Sequence, residues 1–368
     1  MALSRALVLD GPRNLAAREL PLPELGDEDG LLRVEACGLC GTDHEQFTGA
    51  IPTGAPFVPG HEIVGTIVAL GKNAAMGQVG ERVAVEVFMS CRTCAPCLAG
   101  DYRQCTAHPF PEFYGNIPLE RAPGLWGGYA EYVYLSKDAV LIPVPDNLDP
   151  VLATVFNPLG AGIEWGVNVP GTKAGDVVAV LGPGIRGLSA AAAAKDAGAA
   201  FVMVTGAGGR DAPRLEMARR FGADLVVDVT QEDPARALRQ ATGGELADVV
   251  VDVTAKAPAA FAQALHIAKR RGTVVVAGTR GFGDIPGFSP DVIVYKELRV
   301  RGALGVDAKA YRPAFEMLAS RRWPFDEIPR QVVGLDDAAE LLALMAGDVA
   351  GATPPVHGVV VPNESREE

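Results

Sequence analysis

The sequence predicts an α/β protein in two parts: a doubly wound parallel sheet with helices on both faces, and a second, β-rich domain. Three observations carry this. Val-rich runs alternate with helical stretches between about residues 176 and 277. Ahead of that segment, the chain holds short apolar runs cut by Gly and Pro. Beyond about residue 297 the alternation stops.

In the N-terminal part, 31–36, 63–70 and 82–87 read as strands, separated by Gly71-Lys72-Asn73, Gly77 and Gly80. The run at 176–181 (DVVAVL) reads as a strand buried on both sides, because it lacks the polar alternation of a half-exposed one. An Ala-rich helix follows over 188–197, stopped by Gly198. Residues 201–205 form the next strand, and 212–221 a helix stopped by Gly222. Further strands are expected at 225–229, 248–253 and 273–277. Near the C-terminus, 336–345 reads as an amphipathic helix and 357–361 as a strand, with 363–368 frayed. The expected domains are 1–155 joined to 297–368, and 156–296 between them.

Composition excludes several classes. Hydrophobic residues make up 48% and charged residues 21%, which rules out wholesale disorder. The net charge of −12 argues against a nucleic-acid partner, whose phosphates call for a basic surface. No apolar run approaches the ~18 residues of a membrane span, and residues 1–10 lack the pattern of a signal peptide. The expected location is the cytoplasm, away from membranes.

Six cysteines are present, and four of them, Cys91-x2-Cys94-x2-Cys97-x7-Cys105, fall within one local loop. Four thiolates satisfy tetrahedral Zn²⁺ and leave no open position, so the site reads as structural. An iron–sulfur cluster shares part of this spacing, and disulfides would need an oxidising compartment. Upstream lie Cys37-Gly-Leu-Cys40-Gly41-Thr42-Asp43 and Gly60-His61-Glu62. Cysteine, histidine and carboxylate are the ligand types of catalytic zinc, where three protein groups leave a fourth position open. Cys37, by contrast, reads as a small core residue.

In Cys40-Gly41-Thr42-Asp43, Gly60-His61-Glu62, the four-cysteine loop, Gly127-Gly128-Tyr129-Ala130-Glu131-Tyr132 and Gly182-Pro183-Gly184-Ile185-Arg186-Gly187, the chain resembles the zinc-dependent medium-chain dehydrogenase/reductase family of alcohol and polyol dehydrogenases, including the sorbitol and threonine dehydrogenases. The resemblance implies a GroES-like catalytic domain, a Rossmann dinucleotide domain, two Zn²⁺ per chain, a small alcohol or carbonyl substrate and a homodimer or homotetramer. It implies that Cys40 and His61 bind the catalytic zinc, that Thr42 relays the substrate proton, and that Asp43 orients the ligand histidine. Glu62 is a direct ligand in sorbitol-dehydrogenase-like members and lies behind the ligands in others.

This chain departs from the family in two places. Asn157 stands where Cys, Glu or Asp is usual, and a neutral amide is a weaker ligand. The favoured set is therefore Cys40, His61 and Glu62 plus a water held by Asn157, the alternative for Asn157 being a helix cap. Glu45 falls where classical members pass the proton outward through a histidine; it could do similar work, or be an exposed acid.

The 176–181 strand runs into Gly182-x-Gly184-x-x-Gly187 and then a helix, the order a dinucleotide-binding turn requires. Gly182, Gly184, Ile185 and Gly187 are the expected contacts. About twenty residues on, where NAD binders place an acid, stands Gly206, with Arg210 nearby to pair with a 2′-phosphate. This favours NADP(H) over NAD(H), although Asp211 keeps NAD(H) open.

Phe110, Phe113, Tyr114 and Trp126 are candidates to line an apolar pocket, or to pack a long loop. His44, His108, His266 and His357 carry no motif. Other readings of the whole pattern are a zinc-independent enone or quinone reductase, a dinucleotide-binding protein without turnover, and a zinc-ribbon nucleic-acid binder.

Overall fold

The computed structural model describes residues 2–363 apart from 256, 281 and 282. The chain divides into two units, Met1–Phe156 with Asp307–Ser320 and Phe325–Glu368, and Asn157–Val306 with Arg321–Pro324. Residues 364–368, within the segment expected to fray, lie outside the described residues. Asn363 itself is held, its amide donating to the Val34 and Glu131 carbonyls at 2.8 and 3.2 Å.

The first unit is β-rich. A seven-stranded sheet runs in the order Arg330–Val333, His357–Val360, Gly30–Leu39, Glu62–Leu70, Arg82–Val85 and Leu141–Pro143, with Tyr132–Leu135 also paired to Gly30–Leu39. Gly30–Leu39 thus has three partners, and most of its residues are buried, including Leu32, Val34, Cys37 and Leu39. A two-stranded sheet, Leu3–Leu9 against Leu15–Pro21, completes the unit's strands among the described residues. Short helices start on local signals: Asp149 accepts from the Val151 and Leu152 amides ahead of Pro150–Ala153, with Pro150 supplying a preset φ.

The second unit is a six-stranded, wholly parallel sheet in the order Leu225–Asp228, Phe201–Gly206, Val177–Leu181, Ala247–Asp252, Ala268–Val276 and Arg299–Gly302. In chain order that is 3-2-1-4-5-6, the doubly wound dinucleotide-binding arrangement, whose order reverses beside Val177–Leu181. The helix over Ile185–Asp196 buries Leu188 and five consecutive alanines, Ala190 to Ala194, and stops before Gly198 at φ +88°.

Three boundaries differ from expectation. The Ala-rich helix starts at Ile185, because the end of the glycine turn forms its first helical turn. Ala268–Val276 begins well before 273: Ala268 pairs with Ala247, and Lys269-Arg270-Arg271, which carry no apolar pattern, fall in the register shift before Thr273 pairs with Val249. The return to the first unit falls at Asp307 rather than 297, because Arg299–Gly302 pairs with Ala268–Val276 as the sixth parallel strand. No helix among the described residues is long and apolar enough to cross a membrane.

One buried acid ties the first unit together. Glu86 follows the Arg82–Val85 strand, is fully buried, accepts from the Phe88 amide at 3.2 Å and lies beside the Tyr102 and Tyr311 hydroxyls. Burial pushes its carboxyl from 4.5 up to about 8, against the pull of these donors. The folded chain therefore holds a proton that the unfolded chain releases, and stability falls as pH rises from about 4.5 to about 8. Glu86→Gln is expected to flatten that slope, raising the melting temperature by several degrees at about pH 9 and changing it little near pH 4.5. Melting curves of both proteins across this range check it; parallel curves would refute it.

Candidate active site

The Gly30–Leu39 strand delivers Cys40 to the start of the Gly41–Thr48 helix, where it is the N-cap. Its Sγ accepts from the Thr42 amide at 3.4 Å, and Asp43 Oδ2 accepts from the Cys40 amide at 2.8 Å, a reciprocal capping box. Asp43 Oδ1 accepts from the Gly60 amide at 3.3 Å and faces His61 Nδ1 at 3.5 Å. Gly60 has φ +89°, and a Cβ there would come within 2.6 Å of the Tyr129 ring, so the turn that aims His61 requires glycine. Cys40, His61 and Glu62 are all buried, and their ligand atoms lie within 4.8 Å of one another. Burial alone would lower the His61 pKa, but the Asp43 and Cys40 charges raise it well above the usual value. Without a metal this pocket attracts a proton; its thiolate, imidazole and carboxylate suit one Zn²⁺ equally well. Thr42 Oγ1 sits 3.7 Å from Cys40 Sγ.

Cys91, Cys94, Cys97 and Cys105 also converge within 4.8 Å. The Sγ–Sγ separations are 3.8 Å for Cys91–Cys97 and 3.9 Å for Cys94–Cys105. A tetrahedron with Zn–S of 2.3 Å has edges of about 3.8 Å, so the thiols fit that ion, and the same separations exclude disulfides. Hydrogen bonds from Thr93 and the Cys94 amide lower the Cys91 thiol to about 5, whereas burial pushes Cys97 up to about 11. Cys37 is fully buried in the core and stands apart from both clusters.

In the second unit, Gly182 turns at φ +105° after Val177–Leu181. A Cβ on Gly187 would lie 1.8 Å from the Gly182 carbonyl, while one on Gly184 would meet nothing within 4 Å. Gly187 is therefore needed by the protein's own packing, and Gly184 leaves open space in front of the helix N-terminus. At the end of the Phe201–Gly206 strand, Gly206 is enclosed: a Cβ would meet Asp211, Pro183 and Leu215 at 2.9–3.2 Å, so a larger side chain there would have to displace them. Asp211 Oδ2 accepts from the Ala207 amide at 2.9 Å. Asp228 Oδ1 accepts from the Gly208 amide, the Thr230 amide and Thr230 Oγ1, which lower its pKa. Arg210 is exposed on the loop these carboxylates brace.

Several residues fall differently from expectation. Glu45 is buried, not an exposed acid. Asn157 lies inside the Phe156–Ile163 helix rather than ahead of it, and its Oδ1 accepts from Arg186 Nη2 at 3.3 Å, so it is not the helix cap. The aromatic segment splits: Phe113 packs in a small buried cluster with Val87, Phe88 and Tyr102, meets the His61 ring edge-on at 6.1 Å and stacks on Phe110, whereas Tyr114 and Trp126 belong to the main core of the unit. His357 is a core residue; burial, with Arg330 donating to Nδ1, takes its pKa down to about 3. Sequence reasoning missed Arg186, visible only as a charge inside the glycine turn, and Asp228, an acid ending a strand. It also missed His108, held between Glu112 and Asp138 at 3.2 and 2.8 Å.

A doubly wound sheet with an open glycine turn, together with a buried Cys–His–Glu cluster and a four-thiolate cluster, defines a zinc-dependent dinucleotide oxidoreductase. The family models agree: residues 26–146 match the alcohol dehydrogenase GroES-like domain, and residues 187–320 the zinc-binding dehydrogenase domain. The chain is 63% identical over 365 residues to a Mycobacterium tuberculosis protein named "Probable alcohol dehydrogenase adh", covering 98% of this chain and 99% of the other. It is 31% identical to the sorbitol dehydrogenase of Bacillus subtilis, over 86% of each chain. A zinc-binding dehydrogenase of Sinorhizobium meliloti 1021, solved with NADP bound, superposes with a TM-score of 0.84 at 30% identity, over 98% of this chain and 100% of that one. The chain belongs to the zinc-dependent alcohol dehydrogenases of the medium-chain family, oxidoreductases that pass a hydride between an alcohol and NAD(P).

The two glycines separate by experiment. Gly187→Ala is expected to lower the melting temperature by several degrees, because the helix must move off the turn. Gly184→Ala should leave it within about a degree yet weaken dinucleotide binding about tenfold or more, because only the ligand's approach is blocked. Thermal melts and dinucleotide titrations of both variants check this; equal melting losses would refute it.

Proposed function

We propose that this chain oxidises an alcohol, or reduces the matching carbonyl compound, with NADP(H), at a site where Cys40, His61 and Glu62 hold a catalytic zinc. The convergence of these three buried side chains carries the reading. When bound, zinc supplies Lewis-acid polarisation of the substrate oxygen, and the nicotinamide supplies the hydride exchange. The chain's own residues do the rest. Asp43 fixes the orientation of His61 from behind. Thr42 Oγ1, beside Cys40 Sγ, carries the proton to and from the substrate hydroxyl, and buried Glu45 on the same helix continues that route. Asn157 holds a water by its amide and is not a ligand. The four-cysteine loop holds a second, structural zinc, giving two per chain. Phe113, against His61, favours an apolar substrate group over a sugar.

The NADP(H) preference rests on the ribose end: Gly206 carries no acid, Asp211 and Asp228 are committed to loop amides, and Arg210 is exposed for a 2′-phosphate. A homodimer or homotetramer is supported by the open edge strand Arg299–Gly302, with Val294, Tyr295 and Leu304 exposed near it in sequence. Six cysteines none of which is joined in a disulfide suit a reducing cytoplasm.

Two measurements test this reading. Cys40→Ala should lose one zinc per chain and at least about a thousandfold in kcat, with folding and dinucleotide binding retained; Cys105→Ala should also lose one zinc but lower the melting temperature sharply. Full turnover in metal-stripped Cys40→Ala would sink the catalytic assignment. In steady-state kinetics, KM should be lower for NADPH than for NADH, and Arg210→Ala should remove about tenfold of that advantage. A wild-type preference for NADH would overturn the cofactor assignment.

A further inference from the structure

Arg186 is the one charged residue in Gly182-Pro183-Gly184-Ile185-Arg186-Gly187, and it lies in the first turn of the Ile185–Asp196 helix. A cation there sits at the positive end of the helix dipole, where it is disfavoured. Two contacts hold it. Its Cζ lies 5.7 Å from the centre of the Trp165 ring, and its Nη2 donates to Asn157 Oδ1 at 3.3 Å. Asn157 and Trp165 are both buried. A guanidinium only donates, so the Asn157 atom facing it is the amide oxygen. With that oxygen turned to Arg186, the opposite side of the Asn157 amide presents its Nδ2–H₂, a hydrogen-bond donor that does not ligate a cation.

We propose that Arg186 is a positioning residue: from the dinucleotide turn it fixes the Asn157 amide with its oxygen turned inward, so that Asn157 acts as a donor to an oxygen. The inference rests on the reading of Asn157 given above and deepens it. It also gives a use to an arginine at a costly helix position. It links two events on one side chain, because a dinucleotide bound at this turn restrains Arg186, and Arg186 restrains Asn157. Such a link is reciprocal, so a change at Asn157 must alter dinucleotide affinity.

A double-mutant cycle in the zinc-loaded enzyme tests it, using Arg186→Met, which keeps the stem and loses the donors, Asn157→Ala, and both together. NADPH dissociation constants from fluorescence titration are read beside kcat. Asn157→Ala should shift the NADPH constant about threefold or more when Arg186 is present, and leave it unchanged in the Arg186→Met background. Each single variant should lower kcat about tenfold, and the double variant no further than the worse single. Arg186→Lys, which keeps the charge and a donor, should recover part of both effects and serves as the second variant if Arg186→Met folds poorly. Independent effects on the NADPH constant that simply multiply would overturn the inference. The reading of Asn157 fails separately, if Asn157→Ala alone keeps full kcat.

Discussion

One buried carboxylate organises the first unit's Cys40–His61–Glu62 cluster. Asp43 accepts from the Cys40 amide with one oxygen, and with the other accepts from the Gly60 amide and faces His61 Nδ1. It therefore joins the start of a helix to a turn seventeen residues further on, and sets the Cys40 and His61 side chains at once. Removing both hydrogen-bond partners from water is costly unless they pair, and pairing is what fixes the geometry. Gly60 at φ +89° and the Tyr129 ring behind it leave that turn no other path. Cys37, three residues before Cys40 on the adjoining strand, packs against the same glycines; a Cβ at Gly60 or Gly128 would approach its sulfur to 2.9 or 2.6 Å.

The second unit works by a different constraint. Close approach of backbone to backbone at Gly187 presses the Ile185–Asp196 helix onto the turn, and the run of buried alanines lets it lie against the sheet. This packing leaves the space over Gly184 empty on the protein side. The cost is a cation at the helix start, which Trp165 and Asn157 stabilise by stacking and hydrogen bonding.

Much of this was legible beforehand. The four-cysteine spacing, the Cys40 and His61-Glu62 motifs and the strand–glycine–helix order each depend on contacts close in sequence, so their chemistry shows in spacing alone. The Ala268–Val276 strand was half hidden, because its basic first half has no apolar period and lies in a register shift between the Ala247–Ala268 and Val249–Thr273 pairs. The sixth strand was hidden for the same reason: Arg299–Gly302 is polar and exposed, and only the neighbouring strand makes it a strand. The aromatic segment read as one group, yet packing sends Tyr114 and Trp126 into the core and Phe113 to His61.

By itself the sequence determined the doubly wound class, the two groups of Cys, His and Glu side chains that the fold brings together and the absence of an acid at Gly206, because each follows from residue type at short spacing. Only the tertiary structure decided what the isolated polar side chains do. Asn157 and Arg186 stand twenty-nine residues apart, and no local pattern connects them. Asp228 reaches back twenty residues to brace the Gly208 amide, and Glu86 shares its burial with Tyr311 from a distant helix. These partners are chosen by which surfaces the folded strands and helices bring together, and hydrogen bonds between such groups form only once water has been excluded around them.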